Sequence, residues 1–497
     1  MPDQTNGFRK VTRALVPCLI AMFGITFPSS AQFLEPGTVV IHTFTGELAG
    51  DQFGWVSDDL GDITGDGVHD LVITSPGNDG NGSNTGRIYV YNGATGALVF
   101  PPVSGTIVNS RTGSSVGPAG DVNMDGITDI VAGAPAVLQG RVYIYSGADG
   151  SLLRTYFGEL NGDQFGFAVK GAGDLDNDGY ADVLIGAQFN DVNGSNSGKA
   201  YIYSGAPAQS LICSMNGVDG NDHLGSGVDA IGDITGDGIS DYCVGADTAA
   251  IGTTLGTGRA YVYSGADCLL GGTVAAIRTH VPPPPASRFG QFFIDGEADV
   301  NNDGTPDYYV SDYNVNRARV FSGATGAVIW TFTGDNNGGF GIGRMAGDVD
   351  QDGWDDLLLA AWISGVGGNQ AGKAFVYSGR TGGLLETFTH NVVLAQLGFD
   401  ANSMGDVNGD GKIDHLLTAA NDSSARGKAY LVAGTVALFS RADIDLDGDV
   451  DTVDAEALAA VLVDSPMLPL HAQRADVNDD SLTNSADIQA FVDAIVP

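Results

Sequence analysis

The stretch Asp174-Leu175-Asp176-Asn177-Asp178-Gly179-Tyr180-Ala181-Asp182 decides the fold, because it occurs, with small edits, seven times along the chain. Acids at positions one, three, five and nine set hard oxygen ligands at alternate residues, and the glycine at six permits the turn that brings them around one cation. It reads as a calcium loop. Copies begin at Asp62, Asp121, Asp174, Asp233, Asp299, Asp348 and Asp406, and successive starts lie 59, 53, 59, 66, 49 and 58 residues apart. Such a period marks a propeller or a solenoid. The candidate ligands are Asp62, Thr64, Asp66 and Asp70, then Asp121, Asn123, Asp125 and Asp129, then Asp174, Asp176, Asp178 and Asp182. The fourth and fifth copies supply Asp233, Thr235, Asp237 and Asp241, and Asp299, Asn301, Asp303 and Asp307. The last two supply Asp348, Asp350, Asp352 and Asp356, and Asp406, Asn408, Asp410 and Asp414. Thr64 and Thr235 depart from the acidic pattern at position three, where a hydroxyl or a water would have to serve.

The same units flank every loop. Upstream is a small turn, Phe53-Gly54, Phe165-Gly166, Phe289-Gly290 or Phe340-Gly341, weakened elsewhere to Thr112-Gly113, Leu224-Gly225 and Leu397-Gly398. Downstream is a continuous apolar run such as Ile130-Val131-Ala132-Gly133-Ala134-Pro135, which suits a strand buried on both faces. An alternating strand follows, as in Gly86-Arg87-Ile88-Tyr89-Val90-Tyr91, then a turn and an outer strand such as Ala327-Val328-Ile329-Trp330-Thr331-Phe332. Four strands per repeat is a propeller blade. The seventh repeat lacks an outer strand, whereas Val39-Val40-Ile41-His42-Thr43-Phe44 has no blade of its own. The N-terminal strand therefore closes the ring on blade seven and removes an exposed edge.

Phe-Gly, then an Asp-rich loop, then Gly-Ala-Pro, as in Phe165-Gly166, Asp174 to Asp182 and Gly133-Ala134-Pro135, resembles the FG-GAP repeat of integrin α-subunit propellers and their bacterial relatives. The resemblance covers residues 39–437. It implies an all-β, seven-bladed propeller of four-stranded blades, with the calcium hairpins between the first two strands of each blade on one face of the disc.

Charge and targeting narrow the setting. The formal net charge is −38, which repels nucleic acid and anionic membranes and would drive a compact fold apart unless cations were bound. Arg9, Lys10 and Arg13 precede an apolar run at 14–27 and the small residues Ser29-Ser30-Ala31, so residues 1–31 read as a secretory signal peptide. No later stretch is apolar for long enough to span a bilayer, and the mature chain is expected to be secreted or cell-surface associated. Cys213, Cys243 and Cys268 allow either one disulfide with a free thiol or three free thiols.

Past Ser440 the composition shifts. Asp443, Asp445, Asp447 and Asp454 mark an EF-hand-type loop, repeated as Asp476, Asn478, Asp480 and Asp487, and each loop leads into an amphipathic helical pattern. Two loop–helix units with Asp at position twelve resemble a dockerin domain, here 441–497. That resemblance implies a small α-helical, calcium-binding module and a cohesin-type partner. Positions ten and eleven, which carry recognition in dockerins, are Thr452-Val453 and Ser485-Ala486. Ser481 replaces the glycine of the second loop.

Three function classes follow. The first is a secreted, calcium-binding, non-enzymatic adhesion or scaffold protein whose propeller binds a protein or glycan and whose tail docks. The second is a propeller-based extracellular polysaccharide lyase or hydrolase. The third is a structural envelope or matrix component. No catalytic residue stands out: the histidines are scattered, and Tyr89, Tyr143, Tyr201 and Tyr261 sit where blade packing needs them. What varies between blades is the loop before the Tyr-rich strand, long at 77–85, 188–197, 246–257 and 362–371, and the ligand is expected on that face.

Overall fold

A computed structural model describes residues 32–436, apart from 253, 255, 286 and 335–337. It contains seven four-stranded units arranged as blades. Blade three runs Phe165–Gly173, Asp182–Ala187, Lys199–Tyr203 and Leu211–Asn216, each strand antiparallel to the one before. Second strands are buried throughout because both their faces pack against neighbouring blades. Asp129–Ala134 and Asp182–Ala187, for example, are buried at every residue.

Closure follows the expected route. Val40–Thr45 pairs with Lys428–Val432, so blade seven orders as Val40–Thr45, Lys428–Val432, His415–Ala419 and Ala401–Ser403. Just before it, Phe33 packs edge-on against His390 and Tyr430.

The Phe-Gly turn proves to be the joint between blades. Phe53, Phe165, Phe289 and Phe340 are fully buried, as are their substitutes Thr112, Leu224 and Leu397. Six of the seven pack beside the glycine that opens the third strand of the preceding blade, and Phe340 instead meets Asn316, whose side-chain oxygen accepts its backbone N–H. At Gly140, which has φ +85°, a Cβ would lie 2.2 Å from the Phe165 carbonyl oxygen, so no side chain fits. Tyr89, Tyr143, Tyr201 and Tyr261 are buried within these blade contacts, which bears out their reading as packing residues.

The cysteines resolve as one disulfide, Cys213–Cys268, and one buried thiol, Cys243. The bridge holds Gly272–Thr273 as a short parallel fifth strand on the outer edge of blade three. The tail loops at Asp443 to Asp454 and Asp476 to Asp487, with the dockerin-like helices and residues 1–31, lie outside the described residues.

Candidate metal centres and the opposite face

Each acidic loop joins the inner strand of a blade to its second strand. In blade three the Asp174 carboxylate accepts the backbone N–H groups of Asp178 at 3.0 Å and Gly179 at 2.9 Å, while Asp178 accepts that of Tyr180 at 2.9 Å. The same three bonds recur at Asp62 and Asp66, and at Asp121 and Asp125. They recur again at Asp233 and Asp237, Asp299 and Asp303, Asp348 and Asp352, and Asp406 and Asp410. Backbone donors thus aim the acids at positions one and five inward before any ion arrives. The glycine at position six has positive φ in every loop, for example +91° at Gly179.

Position nine has a second task that the sequence pattern did not disclose. Asp70, Asp129, Asp182, Asp241, Asp307, Asp356 and Asp414 are fully buried. One oxygen of each accepts the N–H of a glycine in the turn after the Tyr-rich strand. These donors are Gly93, Gly147, Gly205, Gly265, Gly323, Gly379 and Gly434, at 2.9–3.1 Å. The other oxygen accepts a backbone N–H early in the loop, from Ile63, Val122, Leu175, Ile234, Val349 and Val407, and from Asn301 in blade five. One carboxylate therefore ties three strands together. Burial pushes these carboxyls up, to about 6 at Asp129 and Asp414, about 7 at Asp182 and Asp307, and about 8 at Asp356. A cation beside them would offset that desolvation.

Position three sorts the loops. Oxygens of Asp174, Asp176 and Asp182 lie within 4.8 Å of one another, as do those of Asp348, Asp350 and Asp356. These two loops have Asp at position three, and their all-oxygen donor sets fit a hard divalent cation. Elsewhere neutral groups stand among the acids. The Asn123 amide donates to Asp125, the Asn408 amide to Asp410 and Asp414, and the Asn301 amide to Asp307. In blade one, Asn92 donates to both Thr64 and Asp66, and in blade four the Thr235 hydroxyl leans on Asp233 at 3.4 Å.

Because strands alternate in direction, the Phe-Gly turns and the loops before the Tyr-rich strands share the face opposite the acidic loops. There the central channel opens into a cup of about 230 Å³ walled by Trp55, Phe167, Phe292, Phe293, Trp362 and Phe399. Trp55 and Phe399 pack at 4.9 Å, Phe167 and Phe292 stack at 5.2 Å, and the Arg111 guanidinium lies 5.6 Å over Trp55.

A charged layer forms the floor. Lys170 Nζ is 2.7 Å from Asp58, and Arg344 lies 3.5 Å from Asp400 and 3.8 Å from Asp295. Burial raises the Asp58 carboxyl, but Lys170 and Arg344 outweigh it and hold the group below its ordinary value. Burial, with Asp295 nearby, pushes Asp229 well up. Below this layer a second chamber of about 290 Å³ opens toward the acidic loops, lined in part by Asp229, Asp295 and Glu297.

The FG-GAP repeat family profile matches residues 54–91, 112–145 and 165–203, which are blades one to three. Integrin α-V of Gallus gallus is 34% identical over 164 residues, covering 30% of this chain and 16% of that protein. Integrin α-IIb of Mus musculus is 35% identical over 164 residues, with the same coverage, and integrin α-8 of Gallus gallus is 31% identical over 185 residues, 34% of this chain and 17% of that protein. Blades one to three are thus FG-GAP repeats, similar to those of integrin α chains. The matched stretch spans about a sixth of these relatives, so likeness to them concerns the propeller alone.

Within the integrin-like propeller, the sequence reading found the loops but missed the cup. A usable signal was present: Trp55, Phe167 and Phe399 each follow a Phe-Gly or Leu-Gly pair directly, and Lys170 and Arg344 are basic residues inside inner strands. A Ser–His–carboxylate arrangement also exists, with Ser403 Oγ 3.1 Å from His415 Nδ1 and His415 Nε2 3.9 Å from Glu386. His415 is fully buried and burial drives its imidazole down to about 3, while Glu386 is bonded to Thr435. That geometry serves packing, since a general base needs substrate access and a pKa near working pH.

Proposed function

We propose that the chain is a secreted or cell-surface, calcium-stabilised adhesion or scaffold protein that acts by binding rather than catalysis. Its ligand, a protein or a glycan, docks on the Phe-Gly face. The observation that carries this reading is the aromatic cup, open to solvent on the face that bears the blade-to-blade variation; concave, aromatic-lined openings on a rigid scaffold are where recognition concentrates. Calcium in the seven acidic loops would supply the counter-charge that holds each inner hairpin, with Asp174, Asp176, Asp178 and Asp182, and Asp348, Asp350, Asp352 and Asp356, as the best-formed sets. Residues 1–31 serve export, and the dockerin-like segment 441–497 binds calcium and docks to a cohesin-type partner.

The test is capture from the producer's own secreted proteins and from a glycan array, in calcium, by the full chain and by a chain ending at residue 436. Loss of one captured partner with the tail and of another with Trp55→Ala and Phe292→Ala supports two docking surfaces. Capture unaffected by the cup substitutions would overturn the assignment of the ligand face. Turnover on a polysaccharide panel would return the reading to a lyase or hydrolase.

A further inference from the structure

The lining of the cup has a polarity that its surroundings do not. In a chain of net charge −38, the charged side chains that line it are Lys170 and Arg344, and among the described residues no carboxylate lines it. The acids that balance this pair sit elsewhere: Asp229 and Asp295 line the chamber below, and Asp58 and Asp400 line neither.

Arg344 is also incompletely used. Its nearest contacts are 3.5 Å to Asp400, 3.5 Å to the Ser57 carbonyl oxygen and 3.8 Å to Asp295, and its Nε has no hydrogen-bond partner among the described residues. A guanidinium carries five donors in a fixed fork, and buried donors left without acceptors are costly. The cup therefore presents aromatic and aliphatic walls above two partly exposed cationic side chains at its floor.

We propose that this cup binds a small apolar carboxylate, its hydrocarbon body against Phe167, Phe292, Phe399 and Trp55 and its carboxylate on Arg344. The volume of about 230 Å³ falls below the roughly 300 Å³ at which drug-sized pockets begin, so the ligand is compact, of the size of a phenylalkanoate. The inference uses the face assigned above but not the adhesion reading: partner capture can fail while carboxylate binding stands, and the reverse.

The experiment is isothermal titration of the full chain, in calcium, with 3-phenylpropionate, 3-phenylpropanamide and 3-phenylpropylamine, three ligands of one shape. The carboxylate is expected to bind with a dissociation constant of about 1 mM or tighter, the amide about tenfold more weakly, and the amine not at all, because charge-assisted bonds are the stronger ones. Ser114→Trp, which fills the rim without touching a charge, should abolish binding, and Arg344→Gln should bring the carboxylate to the level of the amide. Melting curves confirm that each variant folds, and should Arg344→Gln fail to fold, the amide comparison and Ser114→Trp still decide. Absence of heat at millimolar ligand, an amide or amine that binds as tightly as the acid, or binding that survives Ser114→Trp would overturn the proposal.

Discussion

On the acidic-loop face, the same few hydrogen bonds are made in every blade. On the Phe-Gly face, the residue after the turn is of five different types across the seven blades. Asp70, Asp129, Asp182, Asp241, Asp307, Asp356 and Asp414 share one pair of backbone contacts, whereas the residues that follow the Phe-Gly-type turn are Trp55, Ser114, Phe167, Ser226, Gln291, Ile342 and Phe399. Repetition marks what the ring needs to exist, and variation marks what it can be used for.

The largest effect should come from removing the cation. A single site at 100-fold excess over its dissociation constant stabilises by about 2.7 kcal/mol, so emptying several sites with EGTA should lower the melting temperature by about 10 °C or more. An unchanged calorimetric transition would end the calcium reading and reduce the acidic face to hydrogen bonding alone.

The next contrast separates clamp from ligand within one loop. Asp182→Ala strips acceptors from Leu175 and Gly205 and should cost about 3 kcal/mol or more even in EGTA. Asp176→Asn gives blade three the residue found at Asn123, and should cost about 1 kcal/mol in calcium and nothing in EGTA, where it relieves repulsion from Asp178 and Asp174. Denaturant melts in both buffers read the difference, and equal behaviour of the two variants would erase the distinction.

The pH dependence should also split by region. Burial raises the folded values of the position-nine carboxyls, to about 6 to 8 at Asp129, Asp182, Asp307, Asp356 and Asp414, so the calcium-free fold binds more protons than the unfolded chain above about pH 4. Their contribution is present at low pH and lost as pH rises through that window. The gap between melting temperatures in calcium and in EGTA should therefore widen from pH 5 to pH 8. His280 and His390 act in the opposite sense, since burial lowers each to about 4. Their share of stability is present above about 6.5 and lost as pH falls toward 4. A gap that stays constant with pH would contradict the burial of the loop acids.

The smallest stability effect belongs to the other face. Phe292 is 43% exposed, and Phe292→Ala should change stability by about 1 kcal/mol or less while weakening whatever occupies the cup. A large loss of stability would make that ring part of the scaffold.

Much of this molecule could be read from the chain because its information is periodic. Asp174 to Asp182 and its copies supplied the blade count, and the orphan strand at Val40 supplied the closure. What stayed hidden depended on three-dimensional proximity. Asp182 looks like a metal ligand in the sequence, and its bond to Gly205 appears only when the turn comes back over the loop. Lys170 and Asp58 are ordinary residues 112 positions apart until two inner strands bring them within 2.7 Å. Arg344 and Phe399 belong to different repeats and face one cup only because neighbouring blades pack side by side around the channel.

That closure sets an order of events in folding. Within the propeller, Val40–Thr45 is the first strand made and Lys428–Val432 the last, yet they are neighbours in one sheet. The early strand has no native partner until the chain between them has been made, and contacts so distant along a chain form slowly. A chain that stops short of residue 432 keeps both an unfilled blade and a free strand, the kind of edge that recruits other chains. The last strand to arrive thus acts as a completeness check, and only a chain carrying both ends can shut the ring.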